Sequence, residues 1–333
     1  TGVFIGAADD PAYKLLIKNG PLPYHPAAVS GNLNAYLANR ISQFYNITGP
    51  SIVYTTSCSS SMVALHAACN ALRQKECDMA LAGGVNVFIT PWLDEPLGVE
   101  SSDFRSKPFD ESANGMGTGE GCIVLLLKTL DKAKLDKDPI YAVIRGEYVN
   151  HNGRTANITA PKYTGQANVI RQAWANAQVS PQDIQYIEMH GTGTKIGDAV
   201  EAMAVSQALC NQVCTQKIPV GSVKSNIGHL GSCAGLAGIV KCILQMQFKQ
   251  LVPSIHFSNP NSTIDFKTAP FYVNTVTKSW PVNGASMICG VNSFGIGGTN
   301  AHAVIESYPS NLATQSLRKS NQFILSAQTM ESL

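Results

Sequence analysis

Ser51-Ile-Val-Tyr-Thr-Thr-Ser-Cys58-Ser-Ser-Ser-Met-Val-Ala-Leu-His-Ala-Ala-Cys-Asn-Ala-Leu-Arg73 holds the fold in miniature. Ser51 to Thr56 is a short run rich in β-formers and reads as a strand. Ser59 to Arg73 reads as a helix of small residues, with Met62, Leu65, Cys69 and Leu72 recurring at helical spacing on one stripe. The turn between them holds Cys58. At a helix N-terminus a thiol meets the positive end of the dipole and free N–H groups, and both favour the thiolate. The flanking serines are small enough to admit a substrate and can cap the helix. An activated nucleophile and a capping cluster around a buried cysteine both fit these residues.

Outward from that turn the same alternation continues. Thr1 to Ala7 reads as a buried strand with nothing before it, so the chain is expected to have been cut from a larger domain. Asn32 to Tyr45 has helical spacing. Met79 to Val87, Cys122 to Leu127 and Tyr141 to Val149 read as strands, and Ser101 to Glu120 as polar loop. The second half follows suit: helix Gly165 to Ala177, a turn or cap at Ser180 to Asp183, strand Tyr186 to Met189 and helix Asp198 to Leu209. Asp198-Ala-Val-Glu201 matches a capping box, with Asp198 as N-cap and Glu201 at N3. Strand Pro219 to Val223, helix Gly231 to Phe248 and strands at 271–273, 287–291 and 301–305 complete the pattern. Such alternation predicts an α/β protein with largely buried sheets.

The chain has 333 residues, 44% of them hydrophobic and only 14% charged. About 25% charged is usual. With 28 glycines, this points to close packing and a buried subunit interface. Lys+Arg 24 against Asp+Glu 22 leaves +2 and no basic run, so a nucleic-acid surface is not indicated. No apolar run approaches the roughly 20 residues of a membrane span, and none opens the chain as a signal peptide. Nine cysteines, an odd number in mostly apolar surroundings, predict free buried thiols and a cytoplasmic, reducing location. Cys210 and Cys214 are the one close pair and lack two partners at zinc spacing, so no metal site is expected.

Three further stretches carry chemistry. In Tyr186-Ile-Glu-Met-His190-Gly-Thr-Gly-Thr194 a strand delivers His190 to its C-terminal edge, where open α/β sheets bind ligands. A structural histidine is the plainer reading of that residue alone. In Gly221-Ser-Val-Lys224-Ser-Asn-Ile-Gly-His229 a strand leads into a loop, with His229 just before a helix of glycine and alanine. Lys224 is either a surface charge or a buried ion-pair partner. Val291-Asn-Ser-Phe-Gly-Ile-Gly-Gly-Thr-Asn-Ala-His302 places three glycines around Ile296. It lacks the Lys-Ser/Thr of a phosphate loop, so nucleotide binding is rejected. One activated thiol and two histidines on strand-end loops supply a nucleophile and a pair of neutral donors, the equipment for thioester exchange and enolate stabilisation.

In order and spacing, the Cys58, His190, Lys224–His229 and Asn292–His302 motifs resemble the β-ketoacyl synthases, most of all the ketosynthase domains of modular polyketide synthases. Glu76-Cys-Asp-Met-Ala-Leu-Ala-Gly-Gly-Val-Asn86, Lys107-Pro-Phe-Asp110 and Pro253-Ser-Ile-His-Phe257 support this. Val99 to Asp103 with Gly117 to Gly121 is similar to modules served by a separate acyltransferase. The resemblance covers nearly the whole chain. It implies a thiolase-like layered fold, α-β-α-β-α, lacking its N-terminal portion. Residues 1–310 would form the ketosynthase domain, with halves at about 1–145 and 146–310, and 311–333 would begin the linker that follows.

The resemblance also implies a homodimer within a larger synthase and a reaction. Cys58 takes an acyl chain from the phosphopantetheine of an acyl carrier protein; no cofactor is bound by the chain itself. A malonyl-type extender on a carrier protein loses CO2, His190 and His229 steady the enolate, and condensation follows. Backbone N–H groups of Cys58 and Ile296 would form the oxyanion hole. Lys224, Thr192 and Thr194 would support the site, and Phe294 and Ile296 would line the acyl pocket. The chain departs from the family at Thr55 and Ser57 before the cysteine, at the missing proline after Asp198, and at Ile296, which is often phenylalanine. Alternatives are a ketosynthase that only passes the acyl chain on, a non-catalytic docking module, and a coenzyme A thiolase; Cys58 and the two histidine motifs speak against the last two. His66, His25, His151, His256 and His302, and Trp92, Trp174 and Trp280, are expected to be structural or exposed.

Overall fold

The computed structural model of the chain describes residues 1–8, 31–88, 99–209, 217–280 and 286–309. Two sheets carry the fold. The first contains β1 (Gly2–Gly6), β2 (Ser51–Tyr54), β3 (Met79–Asn86) and β4 (Gly121–Lys128) in the order β2-β1-β3-β4. Its first three strands are parallel and β4 is antiparallel. The second contains β5 (Ala142–His151), β6 (Tyr186–Glu188), β7 (Ile218–Gly221), β9 (Phe271–Val273), β11 (Ile288–Phe294) and β12 (Thr299–Ser307), in the order β5-β12-β11-β6-β7-β9. There β7, β6 and β11 run parallel and β12 turns back antiparallel, so β7-β6-β11-β12 repeats the plan of β2-β1-β3-β4. Short strands β8 (Gln250–Leu251) and β10 (Lys278–Ser279), not foreseen from sequence, form a separate ribbon.

Between the sheets lie α2 (Ser60–Arg73) and α7 (Ala234–Phe248), the latter preceded by the one-turn α6 (Lys224–Ile227). One core joins all three layers: Phe4, Ala80 and Ala82 from the first sheet, Met62, Leu65, Leu236 and Ile239 from the helices, and Val291, Ala303 and Ile305 from the second sheet. The two helices approach closely because α7 opens on small residues. A Cβ on Gly235 would stand 2.2 Å from Met62 Cγ, inside any tolerable contact. Outside the first sheet, Ala38 and Ile41 of α1 (Ala35–Phe44) pack on Val3, Ile5 and Val53. Outside the second, α4 (Tyr163–Ala177) and α5 (Lys195–Leu209) cover Ile187, Val220 and Val304 with Ile170, Trp174 and Val205. The layers are α-β-α-β-α, the thiolase-like architecture expected. Helix α3 (Leu130–Asp136) follows β4 on the way to the second half. Among the described residues no helix is long and apolar enough to cross a membrane.

Helix α5 differs from its sequence reading. It begins at Lys195, three residues before the expected N-cap. The Asp198 carboxylate does not cap it. Asp198 accepts the Phe109 N–H at 2.7 Å and the Gly193 N–H at 3.2 Å, which pins two loops to the helix. The pattern at Ser180 and Asp183 is the capping box that does form. Cys122 is exposed, unlike the buried Cys69, Cys233, Cys242 and Cys289. Residues 311–333, His25, Trp92, Cys210 and Cys214 lie outside the described residues.

Candidate active site

Cys58 stands where β2 passes into α2, inside a single 3-10 turn over Ser57–Ser59. Ser57 has φ 57°, a left-handed conformation costly for a residue with a side chain. It turns the chain sharply just before the cysteine. The serines knit this turn. Ser59 Oγ donates to the Thr56 carbonyl at 2.8 Å, and Ser60 Oγ donates to the Ser57 carbonyl at 2.6 Å while accepting the Thr56 N–H. They bond backwards into the turn and do not cap the amides of α2, the capping role expected from sequence.

The second half brings the histidines to this turn. His229 Nε2 lies 3.1 Å from Cys58 Sγ. Its other nitrogen, Nδ1, accepts the Gly231 N–H at 3.2 Å. A neutral imidazole accepting at Nδ1 carries its proton on Nε2, so His229 presents a donor to the sulfur. The His229 backbone is held by the Gly117-Thr-Gly segment: His229 N donates to Gly117 O at 2.7 Å and Gly119 N to His229 O at 3.0 Å. The His190 ring meets the His229 ring edge-on at 5.4 Å, and the Phe294 ring at 5.8 Å. His190 Nδ1 is buried without a hydrogen-bond partner among the described residues. One ligand atom from each of Cys58, His190 and His229 falls within 4.8 Å of the others. Such a trio can in principle hold a soft metal. A metal would need the Nε2 lone pair of His229, and the Gly231 N–H facing Nδ1 opposes the tautomer that offers it.

Electrostatics keep both rings neutral. Burial, reinforced by the Lys224 ammonium, pushes His229 down to about 3. Burial, Lys224 and His229 push His190 well below its ordinary range. Lys224 is itself buried, and burial lowers its pKa against the pull of Glu188, Glu201, Cys58 and Asp198. Lys224 is therefore no surface charge, but the expected buried ion pair is not seen at it among the described residues.

Sequence reasoning missed the carboxylates behind these groups. Glu201 accepts the His190 N–H at 2.6 Å, the Gly191 N–H at 2.7 Å and Asn292 Nδ2 at 2.8 Å. Glu188 accepts the Val223 N–H at 2.5 Å, Tyr186 Oη at 2.7 Å and Lys241 Nζ at 2.7 Å, tying the strand of His190 to the loop of Lys224. Glu188 sits two residues before His190 in an otherwise apolar strand, and an acidic residue there was the available signal. Thr192 and Thr194 share a hydrogen bond at 3.0 Å on the loop after His190.

The glycine loop after β11 closes the arrangement. Ser293 Oγ donates to the Cys58 carbonyl at 2.9 Å. A Cβ on Gly295 would lie 2.5 Å from the Thr56 carbonyl, so the loop rests directly on the cysteine turn. Phe294 is buried, whereas the Ile296 side chain is 54% exposed. His151, expected to be a loop residue, ends β5 and is exposed; its Nε2 bonds the Gly297 carbonyl at 2.8 Å. His302, Trp174 and Trp280 are buried, as expected.

Cys58, His190 and His229 are thus gathered at one place between two like halves of a layered α/β fold. The chain belongs to the β-ketoacyl synthase family. The family's N-terminal domain matches residues 1–133, its C-terminal domain 141–258, and the ketoacyl-synthetase C-terminal extension 260–333. The chain is 41% identical over 324 residues to polyketide synthase PksN and 42% over 315 residues to polyketide synthase PksL, both of Bacillus subtilis. Those alignments cover 92% of this chain but 6% and 7% of the two synthases. Among solved structures, the ketosynthase from module 6 of the bacillaene synthase of Bacillus subtilis superposes with a TM-score of 0.86 at 41% identity, covering 93% of this chain and 53% of that one. The oxazolomycin ketosynthase domain of Streptomyces albus gives 0.83 at 36% identity, with 92% and 55% covered. The chain thus spans about half the length of the solved ketosynthases it matches, and all these relatives are polyketide synthases or domains of them.

Proposed function

We propose that the chain elongates a polyketide by decarboxylative condensation on an acyl carrier protein. The observation that carries this reading is the contact of His229 Nε2 with Cys58 Sγ at 3.1 Å, in a tautomer that donates. In the first half-reaction the Cys58 thiolate attacks an acyl thioester on phosphopantetheine. The carbon–sulfur bond to the carrier breaks, and the acyl group stays on Cys58. In the second, the malonyl-type extender on its carrier loses CO2. The electron pair of the broken C–C bond moves into the thioester, whose oxygen becomes an enolate.

Neutral His190 and His229 donate to that oxygen where charge develops, which is where a hydrogen bond accelerates a reaction. The enolate carbon then attacks the acyl-Cys58 carbonyl. The tetrahedral oxyanion is held by the N–H groups of Cys58 and Ile296, and it collapses to release the Cys58 thiolate. Lys224 supports the charge balance of the site without moving a proton. The same reading has two copies of the chain acting as a dimer among other synthase domains in the cytoplasm, with a separate acyltransferase charging the extender carrier.

Intact-protein mass spectrometry after incubation with an acyl thioester and malonyl carrier protein tests it. The expected result is a Cys58 acyl adduct that disappears on malonyl addition, with a β-ketoacyl product on the carrier. An adduct that persists, or moves unextended to the carrier, overturns elongation in favour of simple transfer.

A further inference from the structure

Behind the His190 loop runs a chain of hydrogen bonds whose every direction is fixed. Trp174 Nε1 can only donate, and it meets His302 Nε2 at 3.1 Å. His302 Nε2 therefore accepts, and the ring proton sits on Nδ1. That proton faces Asn292 Oδ1 at 2.6 Å. The amide of Asn292 is thereby oriented, with its Nδ2 donating to Glu201 Oε1 at 2.8 Å. Glu201 grips the two successive backbone N–H groups of His190 and Gly191.

We propose that Trp174 and His302 are positioning residues for His190, acting in series through Asn292 and Glu201. The relay draws on four separate elements: α4, β12, β11 and α5. All four side chains are buried. The imidazole packs directly against the Gly290 backbone, where a Cβ would stand 2.6 Å from its Cε1. If the indole N–H is removed, Nε2 of His302 loses its donor and the opposite tautomer becomes accessible. That tautomer presents a lone pair to Asn292 Oδ1. The amide then inverts, and its oxygen faces the Glu201 carboxylate. Glu201 must shift away, and the His190 backbone loses the clamp that sets the ring beside His229. Burial also holds His302 down to about 3, so the ring stays neutral and the tautomer alone decides the outcome.

The kinetic part of this inference rests on the elongation reading above; the structural part does not. The test uses the full chain, with Trp174→Phe, His302→Phe and the double variant. Trp174→Phe retains most of the aromatic body and removes only the donor. The expected result is elongation slowed about tenfold in each single variant, with acyl loading of Cys58 within about twofold of wild type. Because the residues act in series, the double variant should be no slower than the worse single one. Amide hydrogen exchange gives a readout free of turnover: the His190 and Gly191 N–H groups should exchange at least about tenfold faster in Trp174→Phe, with protection in β11 and β12 retained. Equal loss of loading and elongation, multiplied effects in the double variant, or unchanged exchange at His190 and Gly191 overturns the relay. Should His302→Phe fail to fold, Trp174→Phe alone decides by the exchange readout. A wild type that loads but never elongates defeats the reading of function and leaves the exchange result standing.

Discussion

The proposed elongation gives Cys58 and the two histidines separable duties, and single substitutions should separate them. Cys58→Ala removes the acyl acceptor, so intact mass should show no covalent loading; normal acylation at any residue would contradict its role. His190→Ala should leave loading within a few-fold of wild type and reduce elongation by a factor of roughly 100 to 1,000, the loss typical of one transition-state donor. Single-turnover measurement of each half-reaction decides it, and equal loss in both would refute the division. Ile296, half exposed on the loop against Cys58, has no ring to swing across the pocket mouth. Ile296→Phe should therefore slow loading of branched or long acyl thioesters more than acetyl, by about 1–3 kcal/mol of discrimination. An unchanged ranking across an acyl series would show that it is no gate. These residues were legible in the sequence because a cysteine at a strand-to-helix turn and histidines at strand ends are local patterns. Glu188 and Glu201 were not, because their partners are backbone amides of other segments, and sequence spacing records no such meeting.

At the scale of elements, most strands and helices announced themselves by period, and the errors have tertiary causes. Asp198 and Glu201 stand at the spacing of a capping box, yet both carboxylates point at other loops, and α5 starts a turn earlier. The two-residue strands β8 and β10 carry too few residues for any pattern, and exist only because they pair with each other. The α/β class followed from the alternation and the layered fold from the family resemblance; which helices occupy the centre became visible only in the close approach of Gly235 to Met62. The glycine loop after β11 depends on the same kind of approach. Gly295→Ala would drive a methyl to within 2.5 Å of the Thr56 carbonyl oxygen, a backbone atom that cannot swing aside as a side-chain tip can. It should cost about 1–3 kcal/mol in denaturant unfolding. It should also slow acyl loading more than alkylation of Cys58 by iodoacetamide, which needs no oxyanion hole. Parallel loss of both reactivities would show that the loop merely supports the fold.

Over the whole molecule, the buried titratable groups oppose one another, and the balance sets how stability varies with pH. His190, His229 and His302 have folded pKa values far below the ordinary 6.5, His229 and His302 about 3, all chiefly through burial. The unfolded chain therefore takes up their protons first as pH falls. Their contribution is complete above pH 6.5 and is lost between there and 3. Asp198 and Glu201 run the other way. Burial raises Asp198 to about 7 and raises Glu201, so the folded state keeps their protons after the unfolded state has released them. Stability falls as pH rises through that window.

Between about pH 4.5 and 6 the three histidines raise stability as pH rises, while Asp198 lowers it by the linkage of about one proton, roughly 1.4 kcal/mol per pH unit, and Glu201 pulls the same way as Asp198. The unfolded histidines are still half protonated at pH 6.5, and the lowered pKa of buried Lys224 pulls stability upward at higher pH, so the Asp198 effect shows as a shallower climb below pH 6.5. Asp198→Asn keeps one side-chain oxygen, enough for the shorter Phe109 N–H bond, gives up the 3.2 Å bond from the Gly193 N–H, and cannot ionise. Denaturant midpoints measured from about pH 4.5 to 6 should climb with pH more steeply in Asp198→Asn than in the wild type, by the linkage of about one proton. If variant and wild type climb in parallel, Asp198 does not keep its proton in the folded state.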